Sequence, residues 1–200
     1  TANIAHATIS SQKNNKLMYQ AVNVDGTLNL AKQAAEAGVK RFVFISSVLI
    51  LGNNIQPHPW TEESIADPSN FSIYANYKYI TELGLKKIAT KSDMDLVIIR
   101  PPMVYGQNAK GNFRALIRLI KLRVPMPFGS VDSKRSFIYI KNLVDFLITV
   151  IKHPLAANET FLVSDGTDLS TKELIKLISQ GMNINILILP FPVSLLSFFF

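Results

Sequence analysis

The sequence predicts an α/β chain built on a doubly wound parallel sheet. Three observations carry that class. Stretches of helical period alternate with short runs of β-branched and aromatic residues. The run Lys40 to Ser47 is continuously apolar through its middle, as a strand covered on both faces is, and a second strand run stands at Asp95 to Arg100. Polar side chains then collect where such a run ends, at Ser46 and Ser47, and ligands of open α/β sheets bind outside the carboxyl ends of the strands.

The elements follow in order. From Leu17 to Ala37 the apolar residues Leu17, Ala21, Val24, Leu28, Ala31 and Ala35 recur at helical spacing, and Gly38 is a stop signal. The strand ending in Ser46-Ser47 comes next, then a loop from Asn53 to Asn70 marked by Pro57, Pro59 and Pro68. A helix is expected over Tyr74 to Lys91 and a strand over Asp95 to Arg100. Pro101 and Pro102 forbid that strand's ladder from continuing and fix a turn at the mouth of the sheet. A helix over Phe113 to Leu122 carries Arg114, Arg118 and Lys121, with Arg123 just after it; this is an anion-accepting region or a solvated face. In the segment Lys134-Arg135-Ser136-Phe137-Ile138-Tyr139-Ile140, Arg135 sits just before a short strand-like run, and an amphipathic helix follows, Asn142 to Lys152. Glu159 to Val163 reads as a strand. Ser170 or Thr171 caps a last helix with Glu173 in its first turn. The apolar tail from Asn183 is expected to form a short buried strand, a turn at Pro190 and Pro192, and the start of a helix; a membrane contact is the minor alternative.

Composition narrows the function. A 200-residue chain with 48% hydrophobic and 18% charged residues builds a real core. With no cysteine, disulfides and thiolate metal sites are excluded. His6, His58 and His153 show no ligand spacing, so no metal is expected. The net charge of +7 suits an anionic ligand. Its dispersal, without interleaved aromatics, argues against nucleic acid.

The chemistry-bearing motif is Tyr74-Ala75-Asn76-Tyr77-Lys78. Residues i and i+4 share a helix face, so Tyr74 and Lys78 are placed to act on one bound molecule. A free phenol has a pKa of about 10; a neighbouring ammonium favours the phenolate and readies it for proton transfer with a sugar hydroxyl or ketone. By itself the pair also fits an exposed helix face. Ser46 and Ser47 equally fit a ligand-facing pair or a loop cap. Arg135 fits a bidentate phosphate contact or a surface ion pair.

Taken together, five motifs in order resemble the extended short-chain dehydrogenase/reductases, and within them the NAD-dependent nucleotide-sugar epimerase/dehydratase family. They are Val22-Asn23-Val24-Asp25-Gly26-Thr27, Phe44-Ile45-Ser46-Ser47, Tyr74-x-x-x-Lys78, Arg100-Pro101-Pro102-Met103-Val104-Tyr105-Gly106, and Arg135 to Ile140. The resemblance runs from about Thr1 to about Ser194. It implies a partial Rossmann-like sheet with a small C-terminal substrate-binding region, divided into residues 1–100, the second half of a dinucleotide-binding domain, and residues 101–200, a mixed substrate-binding region. It implies that Tyr74 is the acid/base, that Lys78 holds the nicotinamide ribose, and that Ser47 bonds the reacting sugar oxygen. Asn23 would support the site or cofactor. Pro101 and Met103 would lie beside the nicotinamide, Asn112 and Arg135 would meet the nucleotide diphosphate, and Ala2 would fall on a cofactor loop. The implied cofactor is NAD or NADP, and the implied substrate a nucleotide-diphosphate sugar. A homodimer through the helices Leu17 to Ala37 and Tyr74 to Lys91 and a cytoplasmic location are expected by the same resemblance.

The sequence also departs from the pattern. The family's Gly-x-x-Gly-x-x-Gly turn does not occur; the nine glycines are scattered. The expectation is therefore a fragment of a family member, truncated at both ends. Tyr77 replaces a small hydroxyl residue and is expected to crowd the site; Asn3 stands where the family has a small residue. The expected activity is a 4-epimerase or 4-ketoreductase in polysaccharide precursor synthesis. Dehydration is disfavoured because Ser47-Val48-Leu49 replaces an acidic pair. The alternatives are a sterol-type dehydrogenase/isomerase, against which Arg135 and Asn112 argue, and a truncated non-catalytic relative.

Overall fold

The computed structural model describes residues 17–52, 58–107, 109, 111–192 and 194. They form two compact units: one from the chain up to Pro102 together with Asn142–Val163, the other from Met103–Lys141 and the residues from Ser164 onward.

The first unit holds the sheet. Helix α1 is helical from Leu17, passes through a π-helical segment, Gln20–Asp25, and continues as an α-helix over Gly26–Glu36. Gly38, at φ 77°, ends it by returning its N–H to the Ala35 carbonyl. Strand β1 is Arg41–Ile45, helix α2 Ile73–Ala89, and strand β2 Asp95–Arg100. Strand β3 (Met103–Tyr105), helix α3 (Asn112–Lys121), and strands β4 (Lys134–Arg135) and β5 (Phe137–Tyr139) belong to the second unit. Helix α4 (Ile140–Lys152) leads back to the sheet, where β6 is Thr160–Leu162. The order is β1-β2-β6, all parallel, with Phe44 opposite Ile98 and Ile99 opposite Phe161.

Strand alternation sends Phe44, Leu96 and Ile98 to one face. There they bury with Ala31 of α1 and Leu85 of α2. Phe161, in register with Ile99, points to the other face and meets Phe146 of α4 edge-on at 5.3 Å. Helices on both faces make the sheet doubly wound. Arg41 fastens α4 by donating to the Val150 and His153 carbonyls at 2.8 Å, where the last helical carbonyls lack partners; it also pairs with Asp95. The expectation that β1 is buried on both faces fails, since its Ile45 is 38% exposed; the buried strand is β2, from Leu96 to Arg100. Among the described residues β1 has one neighbouring strand, whereas β2 lies between two.

In the second unit β3 pairs in parallel with β5, and β4 pairs antiparallel with β7, Leu169–Ser170. Helix α5, Thr171–Gly181, opens on a complete capping box: Ser170 accepts from the Glu173 N–H while the Glu173 carboxylate accepts from the Ser170 N–H. Ile120, Met126 and Ile175 are its core. The short strand-like run expected after Arg135 is β5, while Lys134–Arg135 pairs separately as β4; between them Ser136 donates to Asp168 at 2.6 Å. The expectation for the tail changes. The tail makes a single bridge, Ile188 to Met126, rather than a strand. Pro190 and Pro192, without N–H groups, cannot extend the ladder; the helix expected beyond them falls almost wholly outside the described residues. No helix among the described residues is long and apolar enough to cross a membrane.

Candidate functional site

The site grows from the carboxyl end of β1. Pairing with β2 carries one residue past the strand: the Ser46 N–H donates to the Ile99 carbonyl at 2.7 Å, and the Val48 N–H to the Pro101 carbonyl at 3.1 Å. This holds both serines in place, and both are buried. Ser47 Oγ accepts from the Leu49 N–H and caps a 3₁₀ turn, Val48–Leu51. Ser46 Oγ is buried with no partner among the described residues.

Helix α2 packs against the 3₁₀ turn that follows Ser47. Ser72 caps it, accepting from the Ala75 N–H, so Tyr74 stands in the first turn and Lys78 one turn later. The Lys78 ammonium lies 5.8 Å from the Tyr74 ring centroid and 4.8 Å from that of Phe44, and donates to the Ile45 carbonyl at 2.7 Å. Lys78 is 7% exposed, which overturns the exposed-face reading of the pair. Burial lowers its pKa to about 8, and the nearby Glu82 carboxylate opposes that drop. An ammonium has three donors; among the described residues Lys78 spends one.

Two residues that the motif reading passed over complete this buried cluster. Glu82, one further turn along the Lys78 face, accepts from Arg100 Nε at 3.1 Å and Nη2 at 2.8 Å. Both side chains are buried. The sequence signals were an acid four residues after Lys78 and an arginine closing an apolar strand.

Asn23 is buried in the π segment of α1, and its carbonyl accepts from Thr81 of α2 at 3.2 Å. Tyr77 stacks on Tyr19 of α1, with centroids 6.2 Å apart and rings 10° from parallel; burial raises its phenol. Its ring thus packs α2 against α1. Pro101 is buried at the end of β2. Ala2 and Asn3 lie outside the described residues.

In the second unit Met103 is partly exposed in β3, Asn112 is the first residue of α3 after Gly111, and Arg135 is exposed on β4. The polar node of this unit is Asp165, which the sequence reading did not single out. It accepts from the Tyr105 hydroxyl at 2.8 Å and from the Tyr139 N–H at 3.0 Å. Partial burial, and then the hydrogen bond and charge of Asp165, raise the Tyr105 phenol. Among the described residues no cluster of three His, Asp or Glu side chains suits a metal ion.

A doubly wound sheet with a Tyr–Lys pair one helical turn apart, its ammonium tied to the end of an adjacent strand, defines a class of α/β protein before any comparison. Within that class, the model of the NAD dependent epimerase/dehydratase family matches residues 1–164, and the chain belongs to that family. It is 42% identical over 192 residues to a UDP-glucose 4-epimerase of Vibrio cholerae, covering 94% of this chain and 58% of that protein. It is 31% identical over 183 residues to the N-acetyl-alpha-D-glucosaminyl-diphospho-ditrans,octacis-undecaprenol 4-epimerase of Escherichia coli O157:H7, covering 90% and 54%. The chain thus spans a little over half the length of these relatives. Among solved structures, UDP-glucuronic acid 4-epimerase from Bacillus cereus in complex with NAD superposes with a TM-score of 0.79 at 18% identity, over 94% of this chain and 61% of that one. UDP-glucose 4-epimerase of Thermotoga maritima with UDP-glucose gives 0.74 at 22%, over 92% and 63%. These two establish the likeness of fold.

Proposed function

We propose that the protein acts on a nucleotide-diphosphate sugar as an NAD- or NADP-dependent 4-epimerase, with 4-ketoreduction as the neighbouring chemistry, in the supply of polysaccharide precursors. The observation that carries this reading is the Lys78 ammonium, buried beside the Tyr74 ring and tied to the last residue of β1. The 42% identity to a UDP-glucose 4-epimerase supports epimerisation over the other reactions of the family.

The residues fit the cofactor's sugar end. Lys78 has unspent donors among the described residues, and the buried Ser46 hydroxyl lacks a partner there; hydroxyl groups of a ribose satisfy such atoms. When bound, the nicotinamide supplies reversible hydride acceptance. The chain's own residues do the rest. With its pKa of about 8, Lys78 remains mostly charged at neutral pH and favours the Tyr74 phenolate. Tyr74 takes the proton of the sugar hydroxyl and later returns it. Ser47 bonds the reacting oxygen, and Asn23 braces α1 against α2 behind the site. Pro101 and Met103 are assigned to the nicotinamide side, Asn112 and Arg135 to the diphosphate, and Ala2 to the cofactor loop. Exposed apolar residues on α1 (Leu17, Leu30) and α2 (Ile73, Ile80, Leu83) support a homodimer through those helices. A cytoplasmic location is part of the same reading.

The test is to supply the intact protein with NAD and, separately, UDP-glucose, UDP-glucuronate and UDP-N-acetylglucosamine, and to separate the products. The expected result is the 4-epimer of at least one of them. Tight cofactor binding with every sugar returned unchanged would remove the proposal.

A further inference from the structure

The buried ion pair behind Lys78 has a geometry that stability alone does not explain. Lys78, Glu82 and Arg100 together carry one net positive charge in a region where none is more than 7% exposed. Charges in such places are costly unless fully paired. Here Arg100 Nη1 is buried without a partner among the described residues, as is Ser46 Oγ. Ser46 and Arg100 follow the register partners Ile45 and Ile99, so their side chains leave the sheet on the same face, the one covered by α2. An incompletely bonded ion pair is weak evidence for a stabilising role.

The arrangement does control what Glu82 can reach. Glu82 and Lys78 are i and i+4 on one helix face, the spacing at which a carboxylate and an ammonium pair directly. They do not pair, because both Glu82 oxygens are taken by the fork of Arg100. The Lys78 ammonium points instead to the Ile45 carbonyl and the Tyr74 ring. Resting on the reading of Lys78 given above, we propose that Arg100 holds Glu82 away from Lys78, and that the pair thereby acts as positioning residues for the Lys78 ammonium. Glu82 then reaches Lys78 only through its field, which partly offsets the burial of the ammonium. The other groups facing Lys78 are Tyr74 on its own helix, and Phe44 with the Ile45 carbonyl on β1. Helix α1 brings Tyr19 against Tyr77 and Asn23 against Thr81.

The test titrates the Lys78 ammonium by NMR in the intact protein labelled with ¹⁵N-lysine, with Lys78→Met identifying the signal. In Arg100→Met the freed carboxylate pairs with Lys78, and the midpoint rises by about 1 pH unit, a tenfold change in the protonation equilibrium. In Glu82→Gln the ammonium is left beside Arg100, and the midpoint falls by a similar amount. The double variant returns near the wild-type value. Arg100→Lys, which keeps the charge and loses the fork, shifts the midpoint upward by less and serves if Arg100→Met does not fold. Shifts of the same sign in the two single variants, or none, would overturn the proposal. Loss of a cation and loss of an anion move a neighbouring ammonium in opposite directions through their fields alone, so Arg100→Lys, which keeps the cation, is decisive: a raised midpoint there shows the fork at work, and an unchanged midpoint would also overturn the proposal. The readout needs no substrate, so an inactive protein with these shifts would discard the epimerase reading and leave the positioning intact.

Discussion

The two units of the chain treat charge in opposite ways. The sheet unit buries it: Lys78 is tied to the Ile45 carbonyl of β1, and Glu82 of α2 is held by the fork of Arg100 at the end of β2. The second unit keeps it at the surface among the described residues: Arg135 and Asp168 are exposed, and Ile120, Met126 and Ile175 form an apolar core. Buried charge is costly and therefore narrowly positioned, which suits proton transfer. Exposed cations are cheap and adaptable, which suits holding a diphosphate.

That contrast breaks or sharpens under substitution. The largest effect is expected from Arg100→Ala, which removes one partner of a buried ion pair and costs about 3–5 kcal/mol. Arg135→Ala, on the exposed β4, is expected to stay within about 0.5 kcal/mol. Urea denaturation of both settles the contrast, and equal losses would erase it. Leu85→Ala empties a fully buried position between α2 and the sheet and is expected to cost about 2–5 kcal/mol by the same measurement.

The pH dependence follows from Lys78. Its folded pKa of about 8 lies below its ordinary 10.5. Between those values the folded chain binds fewer protons than the unfolded one, so stability rises with pH across that window; below about pH 8 the cost of burying the charge is fully present. The gain is up to about 3 kcal/mol, and Lys78→Met is expected to abolish it in melts run from pH 7 to pH 11. A smaller loss is expected in the second unit: Ser170→Ala removes half of the α5 capping box and costs about 1 kcal/mol, read as a lowered denaturation midpoint.

Much of the sheet unit was legible in the chain. Asp95–Arg100 was bounded correctly because six residues of uninterrupted strand character lie between turn signals. The Tyr74–Lys78 spacing placed both on one helix face. What helical period does not say is what covers that face, and so the burial of Lys78 was not visible. Nor was the Glu82–Arg100 pair, whose members are 18 residues apart and meet only when α2 folds onto β2. The second unit was less legible for the same reason. The break between β4 and β5 is made by an Asp168 that lies 32 residues from Ser136, and the node at Asp165 joins residues 60 apart. The π turn at Gln20–Asp25 left no mark in the periodicity that revealed α1.

The central claim is that Tyr74 moves the proton while Lys78 prepares it. It is tested most directly by comparing the epimerisation rate of the intact wild-type protein with that of Tyr74→Phe at saturating cofactor and sugar, with cofactor affinity measured alongside. The expected result is a loss of about 10²–10⁴-fold in kcat with affinity retained. An undiminished rate in Tyr74→Phe would contradict it and move the proton chemistry to another group.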